Sequence, residues 1–227
     1  MDIPLVVSIA GDPKTGKSHL MLTFPDPMLV FSFDIGLEPV AKKFPDKKIE
    51  VKTYPIPIVD TLKPKPYARA IWNQFVKDFT AAIDSGKYKT IGIDTSTNLY
   101  SLAKQCYTEE LGQQQLLQFQ YGEVYTRLGA LYNRARLAGV NLVITHYLAD
   151  EYINNAATGK QKLDGWKGTE AAVDVALWTR RERRAIAGGD KKNFIVTTVK
   201  DNRFDLDLNE AEFDNLTYAD LMLLLGA

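Results

Sequence analysis

The chain has 227 residues, of which 45% are hydrophobic and 25% are charged, a composition typical of a soluble globular protein with a substantial core. Its 28 basic and 28 acidic residues balance, which excludes a polycation that coats nucleic acid non-specifically. One cysteine and two histidines exclude an internal disulfide and a Cys/His metal cluster, and no apolar stretch is long enough to span a bilayer.

Four short apolar segments are typical of strands buried on both faces of a parallel sheet. They comprise residues 3–10, 28–34, 89–94 and 141–146. The last three segments end on Asp34, Asp94 and His146, so we expect polar groups at the strand ends. Apolar residues recur at helical spacing in 67–86 and 124–139, which predicts two crossover helices. The alternation predicts an α/β fold: a three-layer sandwich with a mostly parallel central sheet flanked by helices.

The C-terminal third has a different pattern. Residues 147–168 are polar, with three glycines and three lysines and no sustained period, which predicts a long mobile loop. Residues 175–183 and 193–200 flank a turn-rich stretch and predict a C-terminal β-hairpin, and 217–226 predict a closing helix. The charges here are uneven, because six basic residues accompany two acids in 180–192, whereas one arginine accompanies six acids in 201–214.

The segment GDPKTGKS, residues 11–18, fits the pattern G-x-x-x-x-G-K-[ST] and lies between a predicted strand and a predicted helix. Glycines allow the backbone to wrap around phosphates, and the lysine reaches the β- and γ-phosphates. For His19, packing or a solvated position is the alternative to nucleotide contact. The predicted ATP-binding residues are Gly11, Asp12, Pro13, Lys14, Thr15, Gly16, Lys17, Ser18 and His19.

Three acidic residues and one serine predict the metal site and the chemistry. Ser18 and Asp94 are the predicted Mg²⁺ ligands, with an N-cap of the following helix as the alternative for Asp94. Hydrolysis requires a group that orients or deprotonates the attacking water. Asp34 at the end of the second strand and Glu38 are the candidates, although Glu38 also suits a solvated carboxylate at a helix start.

A histidine ends the fourth predicted strand, close to where a γ-phosphate would lie in an open α/β sheet. His146 is therefore a candidate phosphate sensor. A hydrogen-bonded structural role is the alternative.

With these residues the chain resembles the RecA-like ATPase superfamily, and within it the small phage-type ATPases that consist of little more than a RecA core, some of which anneal single-stranded DNA. The resemblance covers most of the chain. The phosphate loop is its most specific motif. The motifs that carry it are residues 11–18, 30–37, 88–97, 142–146 and 196–205.

The resemblance implies ATP and Mg²⁺ as cofactors and a homo-oligomer in which cations from one subunit reach the nucleotide of the next. Lys200 and Arg203 match those cations in type and place, although they are three residues apart and the helicase pattern usually places them closer. Ordinary surface charges that balance the acidic stretch after them are the alternative.

The resemblance also implies that the loop after His146 grips single-stranded DNA. Its lysines would contact phosphates and its aromatic side chains would stack on bases. Tyr147 and Tyr152 could extend this platform, and a surface loop unrelated to DNA is the alternative. The implied DNA-binding residues are Lys160, Lys162, Trp166 and Lys167.

The resulting hypothesis is a single domain, residues 1–227, that hydrolyses ATP and acts on single-stranded DNA in phage-type recombination, annealing, repair or replication. We expect it in the cytoplasm of a phage-infected or bacterial cell. Thr95 stands where AAA+ ATPases carry a glutamate after the strand acid, and a separate recombinase arm is missing, so full strand exchange is not expected. The alternatives are a nucleotide-gated assembly factor with little turnover and a small-molecule kinase with 180–184 as a lid.

Overall fold

The fold is built on a mostly parallel β-sheet with helices on both faces. The computed structural model describes residues 4–55, 57, 66–154, 156–187, 189–204 and 206–226, so Ile3 of the first predicted strand lies outside the described residues. The strands are β1 (Val6–Gly11), β2 (Met28–Ser32), β3 (Ile49–Thr53), β4 (Thr90–Asp94), β5 (Asn141–Ile153), β6 (Ala156–Asp164), β7 (Val175–Ala185), β8 (Lys191–Asn202) and β9 (Glu212–Asp214). The helices are α1 (Lys17–Met21), α2 (Glu38–Ala41), α3 (Ala68–Asp84), α4 (Ser96–Leu111), α5 (Tyr121–Leu137), α6 (Thr169–Ala172) and α7 (Tyr218–Leu224), with a 3-10 turn at Gln118–Gln120. None of the helices in these ranges combines the length and apolarity needed to cross a membrane.

The order of the strands brings their polar ends together. The sheet runs β3-β2-β4-β5-β1-β7-β8-β9, parallel from β3 to β7 and antiparallel from β7 to β9. Strand β1 therefore lies between β5 and β7, and β5 separates it from β4. Because parallel strands end at the same edge, the residues after β1, β2, β4 and β5 meet there; we call it the carboxyl edge.

Helices cover both faces of the sheet, as the alternation of strands and helices predicts. Helices α3, α4 and α5 pack on one face, where Phe75 and Phe79 of α3 contact Phe31 of β2. Helices α1, α2 and α7 pack on the other face. The predicted crossover helices are confirmed as α3 and α5, since their apolar stripes, represented by Trp72 and Leu128, are buried.

The prediction of a long loop after His146 is wrong. Strand β5 continues to Ile153 and pairs antiparallel with β6, so 147–153 and 156–164 form a β-hairpin that projects beyond the parallel sheet. Neither face of a projecting hairpin is fully covered, so its sequence lacks the apolar alternation that signals a strand. The sequence analysis also does not include edge strand β3, a five-residue segment in which Ile49 and Val51 alternate with polar residues and every residue is at least partly exposed.

Candidate nucleotide-binding site

The phosphate loop connects β1 to α1 and is fixed against β7. A side chain at Gly11 would lie 2.5 Å from both the carbonyl oxygen and Oγ1 of Thr179, so only glycine fits. Gly16 has φ 88°, a conformation that favours glycine. The hydroxyls of Thr15 and Thr179 are 2.9 Å apart. Close packing thus requires the two glycines that the sequence motif contains.

Lys17 is buried at the centre of this loop. Its ammonium donates to the backbone carbonyls of Gly11 and Asp12, both at 2.7 Å. Burial lowers the pKa of Lys17, while the charges of Asp94, Asp12 and Asp34 oppose the change. The lysine is therefore a poorly solvated cation inside the loop, and an anion placed there would interact with it strongly.

Asp94 ends β4 directly beside the first turn of α1. Ser18 Oγ donates to its Oδ2 at 3.0 Å, and Thr145 donates to its other oxygen. Burial raises the pKa of Asp94, and the two hydroxyl bonds oppose that effect. The predicted alternative of an Asp94 N-cap is wrong, because Thr95 caps α4 by accepting from the Asn98 amide at 3.3 Å.

The donor set at Asp94 fits a magnesium ion. A carboxylate and a hydroxyl 3.0 Å apart are hard oxygen ligands, and Mg²⁺ takes few protein ligands together with phosphate oxygens and water. A divalent cation would also offset the cost of burying the Asp94 charge, which burial otherwise disfavours. Ser18 and Asp94 would hold the ion.

Asp34 lies across the same cleft, just beyond β2. The hydroxyl of Tyr147 donates to Asp34 Oδ2, and Lys17 Nζ lies 4.9 Å from the centre of the Tyr147 ring. Burial and the Asp34 hydrogen bond raise the pKa of Tyr147, so it stays a neutral donor. Glu38 begins α2 with an exposed side chain and does not line the cleft. The structure thus separates the two candidate acids.

These groups surround one open cleft at the carboxyl edge, with a volume of about 480 Å³. His19 is exposed at its rim, and its ring centre is 4.9 Å from that of Phe44. Partial desolvation of the imidazole lowers the pKa of His19, and the charge of Lys43 lowers it further. The lining residues are Pro13, Lys14, Gly16, Lys17, Ser18, His19, Asp34, Gly36, Val40, Lys43, Asp94, Thr95 and Tyr147.

His146 does not reach this cleft. It is fully buried, and its Nδ1 would lie 3.2 Å from a side chain at Gly165, on the face of β5 opposite to Thr145 and Tyr147. Burial lowers its pKa to about 3, so the ring is neutral. This buried position does not support direct contact with a phosphate, and neither ring nitrogen has the hydrogen-bond partner among the described residues that the structural alternative requires.

Lys200 and Arg203 are not brought together. Lys200 Nζ lies 4.8 Å from the centre of the Trp178 ring and 2.6 Å from Glu210 Oε1. Arg203 follows β8 at the edge opposite the phosphate loop, where it donates to the Ala171 carbonyl at 2.6 Å. Arg203 cannot reach the nucleotide of its own subunit from this edge. Lys200 lines a pocket that also includes Asp12 of the phosphate loop, but its ammonium is paired with Glu210.

The four candidate DNA-binding residues divide into two groups. Lys160, Lys162 and Lys167 are exposed. Trp166 is partly buried, with its ring centre 5.6 Å from that of Tyr132 and 6.2 Å from that of Tyr125. A tryptophan packed in this way against the helices is not a free stacking platform, so its predicted role in binding bases is not supported.

Sequence reasoning missed the roles of three side chains that shape the site, and it named one of them, Tyr147, only as a possible DNA contact. Thr145 holds Asp94, Tyr147 holds Asp34, and Thr179 holds the phosphate loop. The signal available was the two-residue period of a strand, which puts Thr145 and Tyr147 on one face and His146 on the other. To use this period, one must know which face of β5 packs against α1.

Comparison with known families agrees with this geometry. The profile of a family described as AAA domain matches residues 3–176, which include β1, the phosphate loop, β4 and β5. No curated protein matches the chain significantly. The match supports nucleotide binding and NTPase activity, and because it extends over most of the chain, the protein belongs to the AAA domain family of P-loop NTPases.

Proposed function

We propose that this protein is a Mg²⁺-dependent, RecA-like ATPase of the phage type that acts on single-stranded DNA in recombination, annealing, repair or replication. The observation that carries the proposal is the convergence of Lys17, Ser18, Asp94 and Asp34 on one cleft at the carboxyl edge. A cation, two metal-binding oxygens and a second carboxylate are the groups that ATP hydrolysis at a phosphate loop requires.

The proposed binding step uses the loop and its lysine. Lys17 now donates to two loop carbonyls, and phosphate oxygens of ATP would compete with those carbonyls for the ammonium. Ser18 and Asp94 would hold Mg²⁺, which neutralises charge on the phosphates when bound. Thr145 keeps the Asp94 carboxylate oriented toward Ser18.

The proposed chemical step assigns the attacking water to Asp34. Its carboxylate faces Lys17 across the cleft, and the Tyr147 hydroxyl fixes one of its oxygens. The other oxygen is available to orient a water and accept its proton. Glu38 is exposed outside the cleft, which supports assigning this role to Asp34.

The proposed contact with DNA uses the β5–β6 hairpin. Lys160 and Lys162 are exposed, two residues apart on β6, and have no ion pair within the described part of the chain. Tyr147 stands where β5 leaves the parallel sheet and enters the hairpin, opposite Asp164. A DNA strand bound to the hairpin would therefore affect Asp34 through the hydrogen bond that Tyr147 donates to it.

ATP turnover of the purified protein, measured with and without single-stranded DNA and Mg²⁺, tests this proposal. Lys17→Ala should abolish turnover and weaken ATP binding, whereas Lys42→Ala, an exposed lysine outside the cleft, should match the wild type. Turnover that DNA does not change would contradict the DNA role. Tight ATP binding without turnover would instead favour a nucleotide-gated assembly factor.

A further inference from the structure

Two arginines of the basic run 180–192 and two acids of the acidic run 201–214 meet on one face of the β7–β8 hairpin. Arg180 pairs with Glu212 at 2.7 Å, and Arg184 pairs with Asp214 at 2.8 Å. Glu182 lies between the two arginines and bonds both of them. Strand β9 and Glu182 thus pair both arginines of this face, and Lys192, across from Arg184, is its one cation without an ion pair among the described residues.

The opposite face of the same strand keeps its charge. Arg181 and Arg183 are exposed and make no ion pair or side-chain hydrogen bond with any described residue. Lys191 lies two residues further along this face, across from Ala185, and is also exposed and unpaired within the described ranges. We call these three residues the arginine face.

The arginine face is continuous with the phosphate loop. Ile195 lies directly across from Arg181, and a side chain at Gly16 would be 3.0 Å from it. Thr179, two residues before Arg181 on the same face, contacts Thr15 of the loop. A ligand on the arginine face would therefore lie beside the bound nucleotide.

We propose that the arginine face binds the backbone phosphates of single-stranded nucleic acid. Alternate residues of a strand are about 6.6 Å apart. Arg181, Arg183 and Lys191, which lies across from Ala185, therefore form a row about 13 Å long. One phosphate cannot contact the whole row, whereas a polymer with a phosphate at every step can. Charge complementarity and the regular spacing select this occupant.

This inference rests on the single-stranded partner of the proposed function and adds a second contact surface to the β5–β6 hairpin. It also gives a route for coupling to the nucleotide. Ile195 lies against Gly16, so a change in the phosphate loop on ATP binding would reach the arginine face directly. Nucleic-acid affinity should accordingly depend on the nucleotide state.

The test compares two double variants that change net charge equally. Arg181→Ala/Arg183→Ala removes the unpaired arginines, and Arg180→Ala/Arg184→Ala removes the paired arginines on the other face of the same strand. The probe is fluorescent oligo-dT of roughly 30 nucleotides, longer than the site of one binding module. Its anisotropy is titrated at several salt concentrations with Mg²⁺ and a non-hydrolysable ATP analogue.

The first variant should bind roughly tenfold more weakly, and its slope of log K against log salt should be smaller by about 1.4, since each single-strand phosphate contact contributes about 0.7. The second should stay within about twofold of the wild type. Arg181→Lys/Arg183→Lys should restore most of the affinity, because a lysine also neutralises a phosphate. Thermal midpoints and ATP affinity should be unchanged in all three variants.

Two results would overturn the inference while leaving the proposed function intact. Wild-type affinity in the Arg181→Ala/Arg183→Ala variant would remove the arginine face from the binding surface. Equal losses in both double variants would reduce the effect to net charge. A wild-type protein that binds no oligo-dT in any nucleotide state would instead refute the DNA role of the proposed function, and the inference with it.

Discussion

Asp34 and Glu38 are four residues apart, yet their surroundings give them different capacities. Asp34 faces Lys17 in the cleft, whereas Glu38 projects into solvent. We expect Asp34→Asn to lower kcat by roughly 10² to 10⁴, the usual contribution of a general base, with little change in ATP affinity. Glu38→Gln, the matched change, should leave kcat unaltered. A loss of turnover confined to the Glu38 variant would transfer the role to that residue.

We expect His146 to make the free energy of unfolding depend on pH. Its pKa is about 3 in the folded protein and near 6.5 when unfolded, so between these values the unfolded chain binds more protons. Stability is therefore lost as the pH falls below 6.5, by up to about 1.4 kcal/mol per pH unit. His146→Leu should reduce this loss in urea unfolding between pH 7 and 5. His19→Leu should retain most of it, and an unchanged slope in His146→Leu would contradict the assignment.

The phosphate loop and the Tyr147 contact differ in how far each was predictable. The residues of the loop are consecutive and their spacing is set by local geometry, so one sequence suffices to identify Lys17 and Ser18. The partner of Asp34 comes from a strand 113 residues away in the chain. Its identity depends on which face of β5 is turned toward α1, and that is decided by tertiary packing.

Strand β5 joins the candidate nucleotide cleft to the β5–β6 hairpin. The first half of β5 pairs with β1 and β4, and the second half pairs with β6. Tyr147 lies just beyond the residues of β5 that pair with β1, which end at His146. A shift of the hairpin would therefore move the hydroxyl that donates to Asp34. The continuation of β5 into the hairpin was not predictable, because its sequence is polar and strands are recognised by alternation of apolar and polar residues.

Removing one hydroxyl tests the connection. We expect Tyr147→Phe to lower DNA-stimulated kcat by roughly ten- to a hundredfold, the equivalent of one hydrogen bond to a charged group, with ATP affinity unchanged. Tyr152→Phe makes the same chemical change at an exposed residue of the hairpin and should have no effect. If DNA stimulated kcat equally in both variants, the Tyr147 hydroxyl would not link the hairpin to ATP hydrolysis.

The two edges of the parallel sheet carry different candidate functional groups. The cleft and the two hairpins lie at the carboxyl edge, whereas Arg203 lies at the other edge. Its bond to Asp174 is long, 3.7 Å, and Arg136 pairs with the same carboxylate at 2.8 Å. Releasing the half-exposed Arg203 would therefore cost little. A role for it in hydrolysis requires the cleft of another subunit.

Mixing two inactive variants tests this requirement. If the protein is an oligomer in which Arg203 completes a neighbouring site, Lys17→Ala and Arg203→Ala should each lose turnover alone. In an equal mixture, about a quarter of adjacent pairs combine an intact loop with an intact arginine, so turnover should partly recover.

The control for the mixing experiment pairs Lys17→Ala with Asp34→Asn. Both changes disable the cleft itself, so no arrangement of subunits creates an intact site, and no recovery is expected. Recovery should also fall on dilution, because a shared site exists only while subunits are associated. A mixture of Lys17→Ala and Arg203→Ala that gives only the average of the two separate rates would exclude a shared site. Arg203 would then be a surface charge that holds the Ala171 carbonyl in its own chain.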